Sequence, residues 1–436
     1  MANFSTDHHP GTAVPGPRML VFDSAYTYDI LTGRKIEVIV TGRDLGGYFD
    51  HIWTCHPVAS LLRDETSPER FGRPQFHELA PGHTMIEGRV GRFAALRRFQ
   101  NLNFLLAQID LLVVLWRLIG RERIDIVRSE DPHYNGLCAW LVSRLRRLPL
   151  LVGVWGNPGA VRKVTGRPLM PRIFRRVAVE EAVERFVLRR ADHVMVQNAN
   201  NGEFVRDYGV SDDRIAIFRL GNLLHQDHFS APESRVGGSE ALAELGVTGH
   251  DTLAVLSRLE PLKLVDHVVS AVSLLDQRGR SVTAILVGDG VGRADLEELA
   301  NRLGIADRIV FAGNRDQQWI ARVVTEVAMV VSPLTGRALG EAALGGAPLV
   351  AYDIDWHGEI VETGRTGELV EYLNIEKLAD AIERLLDDPE IARRYGSAAR
   401  DRAMAMLDPK IADHDQAALY DRLLGRKPLG TERPSR

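Results

Sequence analysis

Arg258 and Lys263 stand five positions apart, just past the apolar run Leu253-Ala-Val-Leu256. The run reads as a buried strand, and in an α/β sheet ligands bind beyond the carboxyl ends of strands. Arginine offers a planar fork of donors and lysine a mobile point charge, a pair suited to a diphosphate. The plain alternative is two solvated charges on a strand-to-helix loop. Further on, Ala284-Ile-Leu-Val-Gly-Asp-Gly290 ends a second apolar strand in glycines. Gly288 would let backbone approach a ligand there, and Asp307-Arg-Ile-Val-Phe-Ala-Gly-Asn314 repeats the arrangement, with Asn314 at the strand end. Thr335 and Gly336 then read as the opening of a helix whose first amides attract phosphate. Glu341 would lie inside that helix, where a carboxylate can accept hydrogen bonds from ribose hydroxyls. The alternative, a solvated helix residue, fits poorly with the small neighbours Ala342, Ala343, Gly345 and Gly346.

The elements that must hold these residues form a βαβα series. The apolar runs already given, the helical pattern Arg293-Ala-Asp-Leu-Glu-Glu-Leu-Ala300 and the strand-like Val327-Ala-Met-Val-Val-Ser-Pro333 imply a parallel sheet wrapped by helices. The first half repeats the pattern less clearly. Its candidate strands are Met19 to Asp23, Lys35 to Thr41, Ile124 to Val127, Pro149 to Val154 and His193 to Val196. Two loops after these strands could face an acceptor. One is Arg128-Ser-Glu-Asp131-Pro-His133-Tyr-Asn135, with His133 as a base, a sugar ligand or only a polar surface residue. The other holds Trp155 and Asn157, with Trp155 stacking on a sugar face or packing in the core. Gly46 and Gly47 follow what reads as the second strand.

At this point the chain resembles the glycosyltransferases of the two-domain GT-B fold, family 4 in particular. The resemblance rests on Ser257-Arg-Leu-Glu-Pro-Leu-Lys263, Leu286-Val-Gly-Asp-Gly290, Ile309-Val-Phe-Ala-Gly313, Glu341-Ala-Ala-Leu-Gly-Gly-Ala-Pro348 and Glu359-Ile-Val-Glu-Thr-Gly-Arg-Thr-Gly-Glu-Leu-Val370, in that order. It implies two Rossmann-like, doubly wound parallel-sheet domains facing a cleft. It also implies an enzyme that takes a sugar from a nucleoside-diphosphate donor and passes it to a glycan, lipid or small molecule. By the same resemblance Arg258 and Lys263 hold the donor diphosphate and Glu341 the nucleotide ribose. Gly46-Gly47 is similar to the family's glycine loop near the donor phosphates.

Departures are specific. Eight positions before Glu341, where the family carries a second glutamate, stands Pro333. The turn Thr335-Gly336 is similar instead to that of inverting transferases that build cell-wall lipid intermediates, whereas the family habit is retention. Leu264 replaces the glycine usual after the lysine, and Trp155 a histidine.

The expected mechanism follows from the leaving group. Negative charge builds on the diphosphate as the sugar departs, and Arg258, Lys263 and the amides near Gly336 would meet it there, with no metal or cofactor needed. A sugar-nucleotide epimerase of the same architecture and an inactive nucleotide-sugar-binding protein are the alternatives. A nicotinamide oxidoreductase is disfavoured because Gly288-Asp-Gly-Val-Gly292 is followed by Arg293 and comes late in the chain.

Composition sets the bounds. A chain of 436 residues, 45% hydrophobic and 26% charged, can build two cored domains, and a net charge of −4 argues against a dedicated nucleic-acid binder. Cys55 and Cys138 cannot make a disulfide framework. The expected division is a leader over 1–18, an N-terminal domain over 19–228, a C-terminal domain over 229–405, a helix over 406–424 crossing back to the first domain, and a tail over 425–436. Phe99 to Ile119 is interrupted by polar residues and reads as a buried helix, not a bilayer span. The expected location is cytoplasmic. The basic region Arg144 to Arg190, with its helical pattern Arg172 to Arg190, could bear a peripheral contact with anionic lipid, or be a solvated helix.

Overall fold

The computed structural model describes residues 16–64, 67–219, 221, 224–247 and 251–426. The described chain divides into two compact units after Phe218 and again after Ala412, where it returns to the first. Each unit is an α/β sheet.

In the first unit the strands are β1 (Arg18–Phe22), β2 (His51–His56), β3 (Gln75–Ala80), β4 (His83–Glu87), β5 (Ile126–Ser129), β6 (Leu150–Val154), β7 (His193–Val196) and β8 (Ile215–Ile217). They lie in the order β3-β4-β2-β1-β5-β6-β7-β8, parallel except for β3, which runs antiparallel to β4. Strand β1 is buried on both faces, sending Leu20 and Phe22 into one core and Met19 and Val21 into another. That two-sided burial is why parallel strands read as continuous apolar runs. Cys55 and Cys138 are free and buried.

The second unit holds β9 (Thr252–Leu256), β10 (Thr283–Val287), β11 (Ile309–Gly313), β12 (Met329–Ser332), β13 (Leu349–Tyr352) and β14 (Glu368–Val370), ordered β11-β10-β9-β12-β13-β14 and all parallel. Leu253 and Val255 of β9 enter the core on one face, Ala254 and Leu256 that on the other. The chain leaves β9 toward β10 on one side and later lays β12 on the other. Strand β9 is therefore the topological switch point, where α/β sheets bind ligands.

Several expectations need correction. Lys35 to Thr41 is not a strand: Lys35 caps helix Tyr28–Arg34 in a left-handed conformation, and Val38–Thr41 is a short helix. The places on both sides of β1 are taken by β2 and β5, so the β-propensity of 35–41 finds no partner there. Gly46 and Gly47 consequently precede the second strand. The domain boundary falls ten residues before the expected one, because the polar stretch after Phe218 is anchored in the second unit. His228 bonds Gln317, and buried Arg235 donates to the carbonyls of His228, Ala321 and Leu344.

At the ends of the chain, 1–15 of the expected leader and 427–436 of the expected tail lie outside the described residues. Arg18 itself belongs to β1, its backbone N–H donating to Asp125. The last helix, Pro409–Leu424, places Leu419 and Tyr420 in the core beside Met19 and Val21.

Helix Gln100–Glu122 is buried on one face only. By length and composition it could cross a membrane. However, its polar residues serve the fold: the Asn103 side chain bonds the backbone of Arg92 and Phe93, and Gln108 donates to Arg89.

Candidate functional site

In the second unit, the loop leaving β9 is fastened to the end of β10. Ser257 N–H donates to Val287 at 3.0 Å and Leu259 N–H to Asp289 at 3.1 Å. Gly288 makes this possible. Its φ is 136°, and a Cβ there would sit 2.0 Å from the Ser257 carbonyl oxygen. The glycine expected to admit a ligand thus admits the neighbouring backbone that carries Arg258.

Arg258 projects outward, its side chain 70% exposed and 2.6 Å from Glu260. Lys263 ends the turn Pro261–Lys263 and is half-buried, and that burial depresses its pKa, helped by the Arg258 charge and opposed by Glu260 and Asp355. Leu264, next in line, holds φ at 54°, the left-handed region that the more usual glycine enters freely.

Across the switch point, the turn after β12 carries Thr335 and Gly336. The helix begins only at Ala338 and ends at Leu344, so neither residue belongs to it, and seven residues give it little dipole. Thr335 is buried, and its Oγ1 has no hydrogen-bond partner among the described residues. Gly336 lies in open space, with nothing within 4 Å of where a Cβ would be. Glu341 is buried, and burial raises its pKa against the pull of Arg337. His357, which the sequence did not single out, closes the arrangement. Fully buried, it sets Nε2 3.1 Å from the Thr335 carbonyl oxygen and Nδ1 2.9 Å from that of Tyr352. Burial lowers its pKa, and the Lys263 charge lowers it further, so the lysine, the histidine and the Thr335 turn share one neighbourhood. Asn314 does not join them: it is exposed at the end of β11, the edge strand.

The first unit also gathers side chains at its strand ends, but not those expected. His133 is buried, with Nδ1 3.6 Å from Asp131 and Nε2 3.5 Å from Glu184. Burial alone would depress its pKa, yet the two carboxylates outweigh it and raise it to about 9. A protonated imidazole enclosed by carboxylates is not a free base. Asp131 and Asn135 bond each other and the surrounding loop, Asp131 accepting from His133 N–H and Asn135 donating to Ser24. Asn157 caps helix Pro158–Thr165 by accepting from Ala160 N–H at 3.0 Å. Gly46 and Gly47 are exposed, with φ of 68° and 94°.

Trp155 leads to a cluster that the sequence reading passed over. Its Nε1 donates to Glu130 at 2.6 Å, and the Arg128 guanidinium lies 5.8 Å from its ring centre. Glu130 also meets Arg128 at 2.8 Å and Arg43 at 3.5 Å, while Arg43 pairs with Asp23. Arg128 donates to Tyr420 of the last helix at 2.9 Å. Asp23, Glu130 and Trp155 follow β1, β5 and β6, so the cluster lies at this sheet's own switch point, where α/β sheets bind ligands. The available signal was a charged residue at each of two strand ends, which is too common to select.

The basic region is also rearranged. Glu180 and Glu184 of helix Val177–Arg190 point inward and hold the buried Arg162. These carboxylates do not balance the surface arginines.

Two α/β units of this topology define the class of GT-B folds. Residues 52–221 match the glycosyl transferase 4-like domain and 243–402 the glycosyl transferases group 1 family. The chain is 30% identical over 380 residues to a D-inositol 3-phosphate glycosyltransferase of Nocardia farcinica, covering 82% of this chain and 80% of that one. It is 28% identical over 321 residues to an alpha-D-kanosaminyltransferase of Streptomyces kanamyceticus, covering 70% and 81%. Among solved structures, Anabaena HepE in complex with UDP superposes with a TM-score of 0.67 at 19% identity, covering 93% of this chain and all of that one. The sucrose-phosphate synthase of Thermosynechococcus elongatus gives 0.66 at 18%, covering 94% and 99%. The chain belongs to the GT-B glycosyltransferases, in the family 4-like group, and is a glycosyltransferase enzyme.

Proposed function

We propose that the protein transfers a sugar from a nucleoside-diphosphate donor to an acceptor hydroxyl of a glycan, lipid or small molecule, with retention and without a metal ion. The observation that carries this reading is the half-buried Lys263 after β9, within reach of the Arg258 charge and of His357, which packs against the Thr335 carbonyl. As the bond from the sugar to the diphosphate breaks, charge grows on the leaving phosphate oxygens. A lysine partly withdrawn from water acts on that charge more strongly than a solvated one. Thr335 Oγ1 offers a further donor, the open space at Gly336 admits the phosphates, and Glu341 takes the ribose hydroxyls. UDP in the Anabaena neighbour agrees with a nucleotide donor. Retention is the family habit; the turn from Pro333 to Arg337 supplies no carboxylate, so charge stabilisation falls to the cations.

Thermal stabilisation by UDP, GDP, ADP and TDP, each with and without an attached sugar, tests the reading, because a ligand that binds only the folded state raises its stability. A selective shift by one diphosphate, followed by release of that diphosphate on incubation with acceptor mixtures, is expected. Binding without release under any acceptor would overturn transfer. Product anomer then fixes the stereochemistry.

A further inference from the structure

Helix Gln100–Glu122 buries Leu111, Leu115, Leu118 and Ile119 in the first unit's core. Its other face is apolar as well. Leu102, Leu105, Ile109, Val113 and Trp116 fall three or four apart along one side, and each is 39–55% exposed. Phe99 extends the stripe at the start of the helix. A solvated helix places polar residues on this side, and a continuous apolar stripe of several hundred Å² marks an interaction surface.

Charge identifies the occupant. Arg97 and Arg98 lie exposed before the stripe, and Arg117, Arg121 and Arg123 lie exposed after it. The neighbouring helix Tyr134–Arg146 adds Arg146, whose guanidinium lies 4.0 Å over the Trp116 ring, and it ends beside exposed Arg144 and Arg147. The carboxylates of the long helix are already engaged, Asp110 with Arg92 at 2.9 Å and Glu122 with Arg121 at 2.7 Å. A second copy laid along the stripe in either direction would bring arginines onto arginines. An anionic surface with an apolar interior is complementary at both ends and in the middle.

We propose that this face is a peripheral contact with anionic lipid, the helix lying in the plane of the interface with Leu102 to Trp116 in the acyl boundary and the arginines on head groups. A spanning orientation is excluded, since it would pull Leu111, Leu115, Leu118 and Ile119 out of the core. The contact is carried by this helix, and of the basic region Arg144 to Arg190 only the first residues take part.

Co-sedimentation of the full chain with phosphatidylcholine vesicles, and with mixed phosphatidylcholine and phosphatidylglycerol vesicles, tests the proposal. Binding should be about tenfold stronger to the mixed vesicles and weaken as salt rises. Ile109→Glu with Val113→Glu, and separately Arg97→Glu with Arg98→Glu, should each reduce it about tenfold while the melting temperature holds, since all four side chains are exposed. Equal binding to both vesicle types, no binding, or binding unchanged in either variant would overturn it. So would a dimer in sedimentation equilibrium that Ile109→Glu with Val113→Glu dissociates, which would make a second copy the occupant.

Discussion

His357 stands between Thr335 and Tyr352: one buried imidazole lies 3.1 and 2.9 Å from their carbonyl oxygens, between the turn after β12 and the end of β13. The turn carries Pro333 where the family has a second glutamate, and the His357 ring packs against its Thr335 carbonyl. A neutral imidazole donates one N–H, and the Tyr352 carbonyl also accepts from Ile354 N–H at 2.9 Å, so His357→Ala should remove a single hydrogen bond and cost about 1–2 kcal/mol of stability. Donor KM should rise about tenfold as the turn loosens. Steady-state kinetics and a denaturant melt check both, and an unchanged donor KM would remove His357 from positioning.

Lys263→Ala should lower kcat by about a hundredfold or more, as for other losses of charge at a leaving group, and Arg258→Ala should act in the same direction. The pH dependence has a definite sign. Burial and Arg258 depress the Lys263 pKa, so its charge is complete at low pH and disappears, as pH rises, sooner than on an ordinary lysine. Turnover should therefore fall on the alkaline side. Lys263→Arg, which stays charged, should abolish that fall even if its rate is lower.

Glu341→Ala should weaken nucleoside-diphosphate binding about tenfold or more, the cost of a hydrogen bond to a charged group. Calorimetric titration measures it. Equal affinities in parent and variant would refute the ribose assignment.

Gly336→Ala and Gly288→Ala should behave oppositely. An added methyl at Gly336 meets nothing within 4 Å, so the melting temperature should hold while donor binding weakens, because the methyl enters the space assigned to the phosphates. At Gly288 a Cβ would collide with the Ser257 carbonyl in a backbone conformation that L-residues avoid, and the fold should lose about 3 kcal/mol or more. Paired melting curves and nucleotide titrations separate the two.

His133 links stability to pH. Its folded-state pKa of about 9 lies above the 6.5 of a free imidazole. The stabilisation is therefore fully present below about pH 6.5 and lost as pH rises to about 9, with an upper limit of about 3 kcal/mol. His133→Gln should flatten the stability curve across that window. A sharp fall in kcat with stability unchanged would instead restore His133 as a base.

The sequence by itself determined the two-unit α/β class, most of the strands whose runs are buried on both faces, and the places of Arg258 and Lys263 past a strand end and of Glu341 within a helix. Each of these is written locally, in an apolar run and in the residues that follow it. Tertiary structure decided what depends on neighbours far along the chain. Lys35 to Thr41 has strand-like residues but the places beside β1 go to β2 and β5, and Gly288 lies where a Cβ would meet the Ser257 backbone. The His133 pKa is raised by Asp131, two positions away, and by Glu184, fifty-one positions away, which only the fold brings beside it. The Asp23, Arg43 and Glu130 cluster exists only where β1 and β5 lie side by side. Spacing along a chain fixes which face of an element a residue occupies; which partner waits on that face is set by how the sheets and helices assemble.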